Sequence, residues 1–350
     1  MKEFKISPLN QDQKLIRYLE RVLKKAGSGF LYKMLRKKNI TLNGKKASGN
    51  ETLQAGDVVK IFFSDETFEK MSGLIEEAGT ESPHLNTVRS SENKMHSSSM
   101  KDRSENRKSE GSRKEKPIFP RAPFPIQVLY EDNDLLAVNK PSGVLSQKSD
   151  RGQASMNEYL IRYCLDQAEM TEADLQTFRP SVVNRLDRNT SGILLFGKTM
   201  RGLHLGSELV KSHEGQKTYH CLVTGDSSRF QENTLVKGWL LKDPKKNMVR
   251  YSAHELDKSL YMEEEVRLLK KKGPYSLLEV LLHTGRSHQI RSSLSALGCP
   301  IVNDRKYGGV SINYNTGQLL HACGLTLPNG VRISCPDPKI FSELTGEEIK

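Results

Sequence analysis

Three short stretches of this chain carry more polar detail than a fold needs. The first is VVNRLDRNTSGILLFGK, residues 182–198, where Asp187 stands between Arg185 and Arg188. An arginine pair beside a carboxylate favours its ionised form, and each guanidinium offers a fork for a phosphate or a base edge. The second is Gln216-Lys217-Thr218-Tyr219-His220, with Tyr219 at the start of a strand. The third, HTGRSHQIRSSLSALGCPIVNDRKYGG, residues 283–309, sets Arg286, His288, Gln289 and Arg291 at and just past a helix start. A helix N-terminus already favours anions, and two arginines there make a phosphate site. The plainer alternatives are a polar turn between strands for the first stretch and a packing tyrosine for the second.

The elements that must position these residues follow from hydrophobic periodicity. Val182-Val183 and Ile193–Phe196 flank the Asp187 loop as strands. Strands are expected at Ile126–Tyr130, Leu135–Val138, Lys217–Val223, Leu235–Leu241, Glu264–Leu269, Leu277–His283 and Leu319–Leu327. Helices are expected at Met156–Leu165, Leu203–Val210 and Ser287–Leu297. Strands outnumber helices and often adjoin, so the fold class is α+β, with a mixed, largely antiparallel sheet and helices packed on it.

Ahead of this region, Leu15, Ile16, Leu19, Val22 and Leu23 recur at helical spacing, as do Leu31, Met34 and Leu35 after a Gly27-Ser28-Gly29 break. Asn43-Gly44 after Ile40-Thr41-Leu42 signals a hairpin, and Val58–Phe63 reads as a strand. Lys33, Arg36, Lys37 and Lys38 cluster on and just after the second helix. From about Met71 to Ile118 Ser, Glu, Lys, Arg and Asn dominate, and no aromatic residue lies between Phe68 and Phe119. Such a stretch buries too little apolar surface to offset its chain entropy. The expected organisation is a compact unit at 1–68, a disordered polar linker at 69–118, and a second domain at 119–350.

The chain has 350 residues, with 54 Lys+Arg against 42 Asp+Glu and a net charge of +12, which favours nucleic acid as partner. The 5 cysteines are scattered with no C-x-x-C pair, so disulfides are not expected. No signal peptide and no membrane span is legible, and a soluble, cytoplasmic protein is expected. His283 and His288 are five apart and His213 and His220 seven apart, not the spacing of a helical zinc site. No metal is therefore expected. No Gly-x-Gly-x-x-Gly, phosphate-loop lysine or G-x-S-x-G motif occurs, so no cofactor is expected either.

The pattern of helix, basic helix, short strand, NG turn and AGDVVKI over residues 13–63 resembles the alpha-L RNA-binding module first seen in a small-subunit ribosomal protein. LYKMLRKKNITLNGKK carries most of that likeness. The resemblance implies that Lys33, Arg36, Lys37 and Lys38 bind structured RNA. Gly27-Ser28-Gly29-Phe30 stands where that family often has a Ser-Arg or Lys-Ser pair.

VVNRLDRNTSGILLFGKT, KTYHCLVTG and the 283–309 stretch, together with LLAVNKPSGVL and LLHACGLTL, resemble the signature segments of RluA-type pseudouridine synthases, in order, over about residues 126–338. The resemblance implies the pseudouridine synthase fold and the isomerisation of uridine to pseudouridine in RNA, without cofactor or energy input. By position Asp187 is then the essential carboxylate, Arg291 its partner, and Tyr219 the residue that stacks on the target uracil and serves the proton step. Arg185 enters the RNA stack beside the extruded nucleotide. Arg188, Gln289, Arg286 and His288 serve as RNA contacts or supports, and Lys140 lies at the rim. The family usually has His where Asn184 stands. The expected substrate is large-subunit ribosomal RNA, with tRNA as the alternative and a monomer as the acting form. The rival classes are a non-catalytic RNA-binding or assembly factor and a metal-dependent RNA hydrolase.

Overall fold

The computed structural model describes residues 1–73, 119–148, 152–211, 215–314, 317–327 and 330–346. The expected linker lies outside them from residue 74 to 118.

The N-terminal unit runs β1 (Lys2–Lys5), α1 (Leu15–Val22), α2 (Ser28–Arg36), β2 (Ile40–Leu42), β3 (Lys45–Lys46), β4 (Val58–Ile61) and α3 (Asp65–Ser72). Its strands form one sheet in the order β1-β4-β2-β3. Asn43 and Gly44 both have positive φ, 51° and 72°, the geometry that closes a two-residue hairpin. Leu15, Leu19, Leu31, Leu35, Ile40, Val59 and Ile61 close the small core. Ser64 caps α3 by accepting from the Thr67 N–H, and Gly73 ends it in the left-handed region. The unit therefore runs past the expected boundary at 68. It also touches the second domain. Leu9 packs on the larger core, Asn10 Nδ2 donates to Thr177 Oγ1 at 3.1 Å, and Arg21 Nη1 donates to the Thr177 carbonyl at 3.1 Å.

The second domain runs β5 (Val128–Glu131), β6 (Leu135–Lys140), α4 (Met156–Asp166), α5 (Asp174–Thr177), β7 (Ser181–Val182), β8 (Ser191–Gly197), α6 (Met200–Lys211), β9 (Lys217–Val223), β10 (Thr234–Asp243), β11 (Met248–Ser252), β12 (Leu260–Lys272), β13 (Tyr275–Leu282), α7 (Gln289–Ala296), β14 (Leu320–Thr326), β15 (Arg332–Ser334) and α8 (Lys339–Thr345). Its sheet follows β11-β10-β12-β13-β9-β14-β8-β6-β5, with β15 paired to β14 and β7 to β8. All pairings are antiparallel except β14 with β8. The expected mixed, largely antiparallel sheet is what forms. Sequence periodicity missed β11, β15, α5 and α8, which are short or irregular in pattern.

Both faces of the sheet centre are covered, so strands there read as unbroken apolar runs rather than alternations. In β6 and β8, Leu136, Val138, Leu194 and Phe196 face the front core with α4 and α7. Their neighbours Leu135, Ala137, Ile193 and Leu195 face a back cluster with Leu209 of α6. The parallel β14–β8 contact brings the strand after the Asp187 loop against β14, and Gly192 makes it possible. Its φ is +108°, and a Cβ there would lie 2.2 Å from the Ala322 carbonyl oxygen. Gly192→Ala is expected to lower the urea unfolding midpoint by the equivalent of at least about 1–3 kcal/mol. An unchanged midpoint would show that the two strands can separate without loss.

Candidate active site

The Asp187 loop hangs between β7 and β8 and is tied down along its length. Asn184 bridges β8: its Nδ2 donates to the Ile193 carbonyl at 3.2 Å and its Oδ1 accepts from the Leu195 N–H at 2.7 Å. An amide can do both at once, so Asn184 fixes the start of the loop. Ser146 Oγ donates to the Leu186 carbonyl at 2.8 Å and accepts from the Leu186 N–H at 3.1 Å. Thr190 is held by Gln318 at 3.1 Å.

Lys140 corrects the expectation of a rim position. It is 0 % exposed. Its Nζ donates to the carbonyls of Pro141 and Val144 at 2.9 Å and of Arg188 at 3.0 Å. Burial pushes its ammonium pKa down to about 7 against the opposing pull of Asp187. With all three hydrogen-bond directions used on backbone, it has nothing left for RNA. It staples residues 140–144 beneath the Asp187 loop, helped by Arg188, whose Nε donates to the Gly143 carbonyl at 2.9 Å.

The third sequence stretch meets this loop from α7. Arg291 Nη1 donates to Asp187 Oδ2 at 2.7 Å. The rest of the guanidinium is clamped by Asp304, with Nε to Oδ2 at 2.6 Å and Nη2 to Oδ1 at 2.9 Å. The Tyr307 ring lies under it, 5.0 Å from centroid to Cζ. His288 precedes α7 in the left-handed region, φ 54°. Its Nδ1 lies 2.8 Å from Tyr307 Oη and its Nε2 3.9 Å from Asp187 Oδ2. Burial lowers the His288 pKa, with Asp187 opposing, so at neutral pH the imidazole is largely uncharged and Arg291 supplies the positive charge at Asp187. The carboxylate is 29 % exposed, and its Oδ1 accepts no hydrogen bond from a described residue.

Tyr219 comes from β9 onto the same front face. Burial first, and then Asp187, hold its phenol pKa well above the usual range, so it keeps its proton. Asp187, Tyr219, Arg291, Arg185, Arg286 and His288 line one cavity of about 920 Å³. A second of about 780 Å³ shares Asp187, His288 and Arg291 and adds Arg188, Arg305 and Lys306. Three sequence stretches far apart along the chain thus converge. Arg185, Arg188 and Arg286 are exposed. Lys33, Arg36, Lys37 and Lys38 are exposed on the N-terminal unit and line neither cavity.

Gln289 is a further correction. At 3 % exposed it is a brace rather than a surface contact. Its Oε1 accepts from Thr284 Oγ1 at 2.8 Å and the Arg286 N–H at 3.1 Å, and its Nε2 donates to Glu264 Oε2 at 3.0 Å. Ser293 Oγ donates to the other Glu264 oxygen. Glu264, Asp304 and Tyr307 were all missed in the sequence. Asp304 lies inside the quoted 283–309 stretch, and a buried arginine needing two carboxylates was the available signal. Glu264 is one of three consecutive glutamates, and only strand parity distinguishes it.

The comparisons agree with this geometry. Residues 134–296 match the family model described as RNA pseudouridylate synthase. Ribosomal large subunit pseudouridine synthase D of Borreliella burgdorferi is 31% identical over 189 residues, 53% of this chain and 56% of that protein. The tRNA pseudouridine synthase C of Pectobacterium carotovorum is 30% identical over 229 residues, 59% of this chain and 56% of that protein. The chain thus spans just over half the length of either relative. The structure of human RNA pseudouridylate synthase domain containing 4 shares the fold, with TM-score 0.51 and 19% identity over 61% of this chain and 90% of that one. The match to the RNA pseudouridylate synthase family over residues 134–296 accords with the likeness of the signature segments.

Glu264 gives a pH signature. Burial raises its pKa from 4.5 to about 7. The folded protein therefore holds a proton there that the unfolded chain has already lost, and the associated stability is full below about pH 4.5 and lost as pH rises through 7. Glu264→Gln, which cannot ionise, should gain on the parent by up to about 3 kcal/mol between pH 5 and pH 8. Urea midpoints of the two proteins that run parallel over that range would rule this out.

Proposed function

We propose that this protein isomerises uridine to pseudouridine in RNA, with large-subunit ribosomal RNA as substrate, acting as a cytoplasmic monomer. The observation that carries the reading is the Asp187 carboxylate, fixed through one oxygen by a doubly clamped Arg291 and open through the other to a cavity that holds a protonated phenol. In this reaction the N1–C1′ bond breaks, the uracil turns over, and a C5–C1′ bond forms as the C5 proton leaves. Asp187 supplies the carboxylate that attacks the ribose or the base, or assists departure of the base. Arg291 holds that charge in place. Tyr219 gives the uracil an aromatic surface and a hydroxyl for proton transfer. Neither net oxidation nor energy input is required.

A stacked uridine hides its glycosidic bond, so the nucleotide has to be extruded into the cavity. Arg185, exposed at the loop, is placed to enter the vacated stack. The exposed Lys33, Arg36, Lys37 and Lys38 on and just after α2, with exposed Lys45 and Lys46 of β3 in the same unit, favour the reading of that unit as an RNA-binding module. A non-catalytic binding factor has no use for a buried Asp304–Arg291–Asp187 array, which is costly to desolvate.

Tritium release from RNA labelled at uridine C5 tests the proposal, with large-subunit ribosomal RNA and tRNA as separate substrates. The parent is expected to release label from the ribosomal RNA without cutting the chain. Asp187→Asn should lower release at least about 10³-fold while RNA affinity stays within about twofold. Turnover near the parent's would sink the assignment of Asp187, and release from tRNA alone would move the substrate. The module is tested in the full chain by replacing Lys33, Arg36, Lys37 and Lys38 with Gln. The slope of log affinity against log salt should flatten by about 0.7–0.9 for each phosphate that these side chains no longer neutralise. An unchanged slope removes them from the RNA path.

A further inference from the structure

On the face of the sheet away from Tyr219, one polar row crosses five strands. Ser191 of β8 is paired with His321 of β14, His321 with His220 of β9, His220 with Glu279 of β13, and Glu279 with Arg267 of β12. Strand alternation sets the face: Tyr219, Val280 and Ala322, neighbours of His220, Glu279 and His321, all belong to the front core. Part of the row is satisfied internally. Ser191 Oγ lies 2.8 Å from His321 Nδ1, and Arg267 Nη2 donates to Glu279 at 2.8 Å.

The middle of the row is different in kind. Asp337, in the segment entering α8, sets its two oxygens 2.9 and 2.8 Å from His220 Nδ1. Cys323 sits where the β14–β9 register slips between Ala322 and Gly324. One ligand atom from each of His220, Cys323 and Asp337 lies within 4.8 Å of the other two, and all three residues are half-buried, within reach of an ion from solvent. A second carboxylate stands close, Glu279 Oε2 at 3.7 Å from His220 Nε2. Independently, the adjacent His321 is 1 % exposed and its Nε2 has no hydrogen-bond partner.

An imidazole nitrogen, a thiolate and a carboxylate are the donors that zinc takes, at about 2.0–2.3 Å each. Donors that close around one ion stand roughly 3.3–3.8 Å apart, a shift of about 1–1.5 Å at most from spacings within 4.8 Å. We propose that His220, Cys323 and Asp337 form a site for a divalent transition metal of the zinc class, with water in the fourth position. Loading replaces the Cys323 S–H bond by a metal–sulfur bond, the thiol proton passing to solvent, while His220 binds through Nδ1 as the neutral imidazole with its one ring proton on Nε2, the nitrogen that faces Glu279. The ion would tie β9, which carries Tyr219, and β14 to the C-terminal segment, on the face of the sheet opposite the cavity.

The test uses the full chain, stripped with chelator and titrated with Co²⁺. About one equivalent should bind per chain, with a sulfur-to-cobalt charge-transfer band in the near ultraviolet that added Zn²⁺ abolishes. Cys323→Ser, which changes one atom, should remove the band. His220→Asn and Asp337→Asn should each weaken binding at least about tenfold. Zn²⁺ should raise Tm for the parent and not for Cys323→Ser. A parent that binds no stoichiometric Co²⁺, or a band that survives in Cys323→Ser, would overturn the site.

Discussion

A guanidinium nearly buried between two carboxylates is the contact on which the active site depends. Arg291 has lost most of its water, so each of its N–H groups needs an acceptor in the right plane. Asp304 takes one edge with two bonds and leaves Nη1 pointing in a single direction. Asp187 sits at the end of that direction. Removing one partner from such a buried array typically costs about 3–5 kcal/mol, because the remaining charge is stranded. The direction of Nη1 therefore decides where the Asp187 loop must be, and the loop's other ties serve that position.

Those ties come from backbone more than from charge. Lys140 gathers three carbonyls under the loop, Ser146 pairs with both backbone groups of Leu186, and Asn184 does the same across β8. On the other side, Glu264 and Gln289 brace the first turn of α7 against β12. Two rigid pieces, a stapled loop and a braced helix, thus meet at one ion pair. Arg185, Arg188 and Arg286 stay exposed at the cavities, where a polyanion can reach them.

Much of the fold was legible because its signals are local. The Asn43-Gly44 hairpin, the periodic helices α1, α2 and α4, and the apolar strands β6, β8, β9 and β13 all announce themselves within a short window. The candidate site was legible as three polar stretches, and signature likeness put Asp187, Tyr219 and Arg291 in named roles that the geometry then brought around one cavity. Lys140 and Gln289 misled because a polar side chain near a site looks like a contact until its burial is known. Lys140 belongs to an apolar strand covered on both faces, and that cover comes from segments the local sequence does not contain.

By itself, then, the amino-acid sequence determined the class of fold, the basic character and the order of chemical groups along the chain, since these follow from composition, period and residue type. The tertiary structure alone decided which of those groups face one another. Asp187 and Arg291 meet across 104 positions, and Asp304 joins them only because α7 and the following turn fold back. Likewise, His220, Cys323 and Asp337 have no common spacing and converge only through strand pairing. Strand parity assigns Tyr219 to the cavity side and His220 to the opposite face. Distance along a chain does not encode distance in space once a sheet reorders its strands, and parity has meaning only after the sheet has chosen which face to cover.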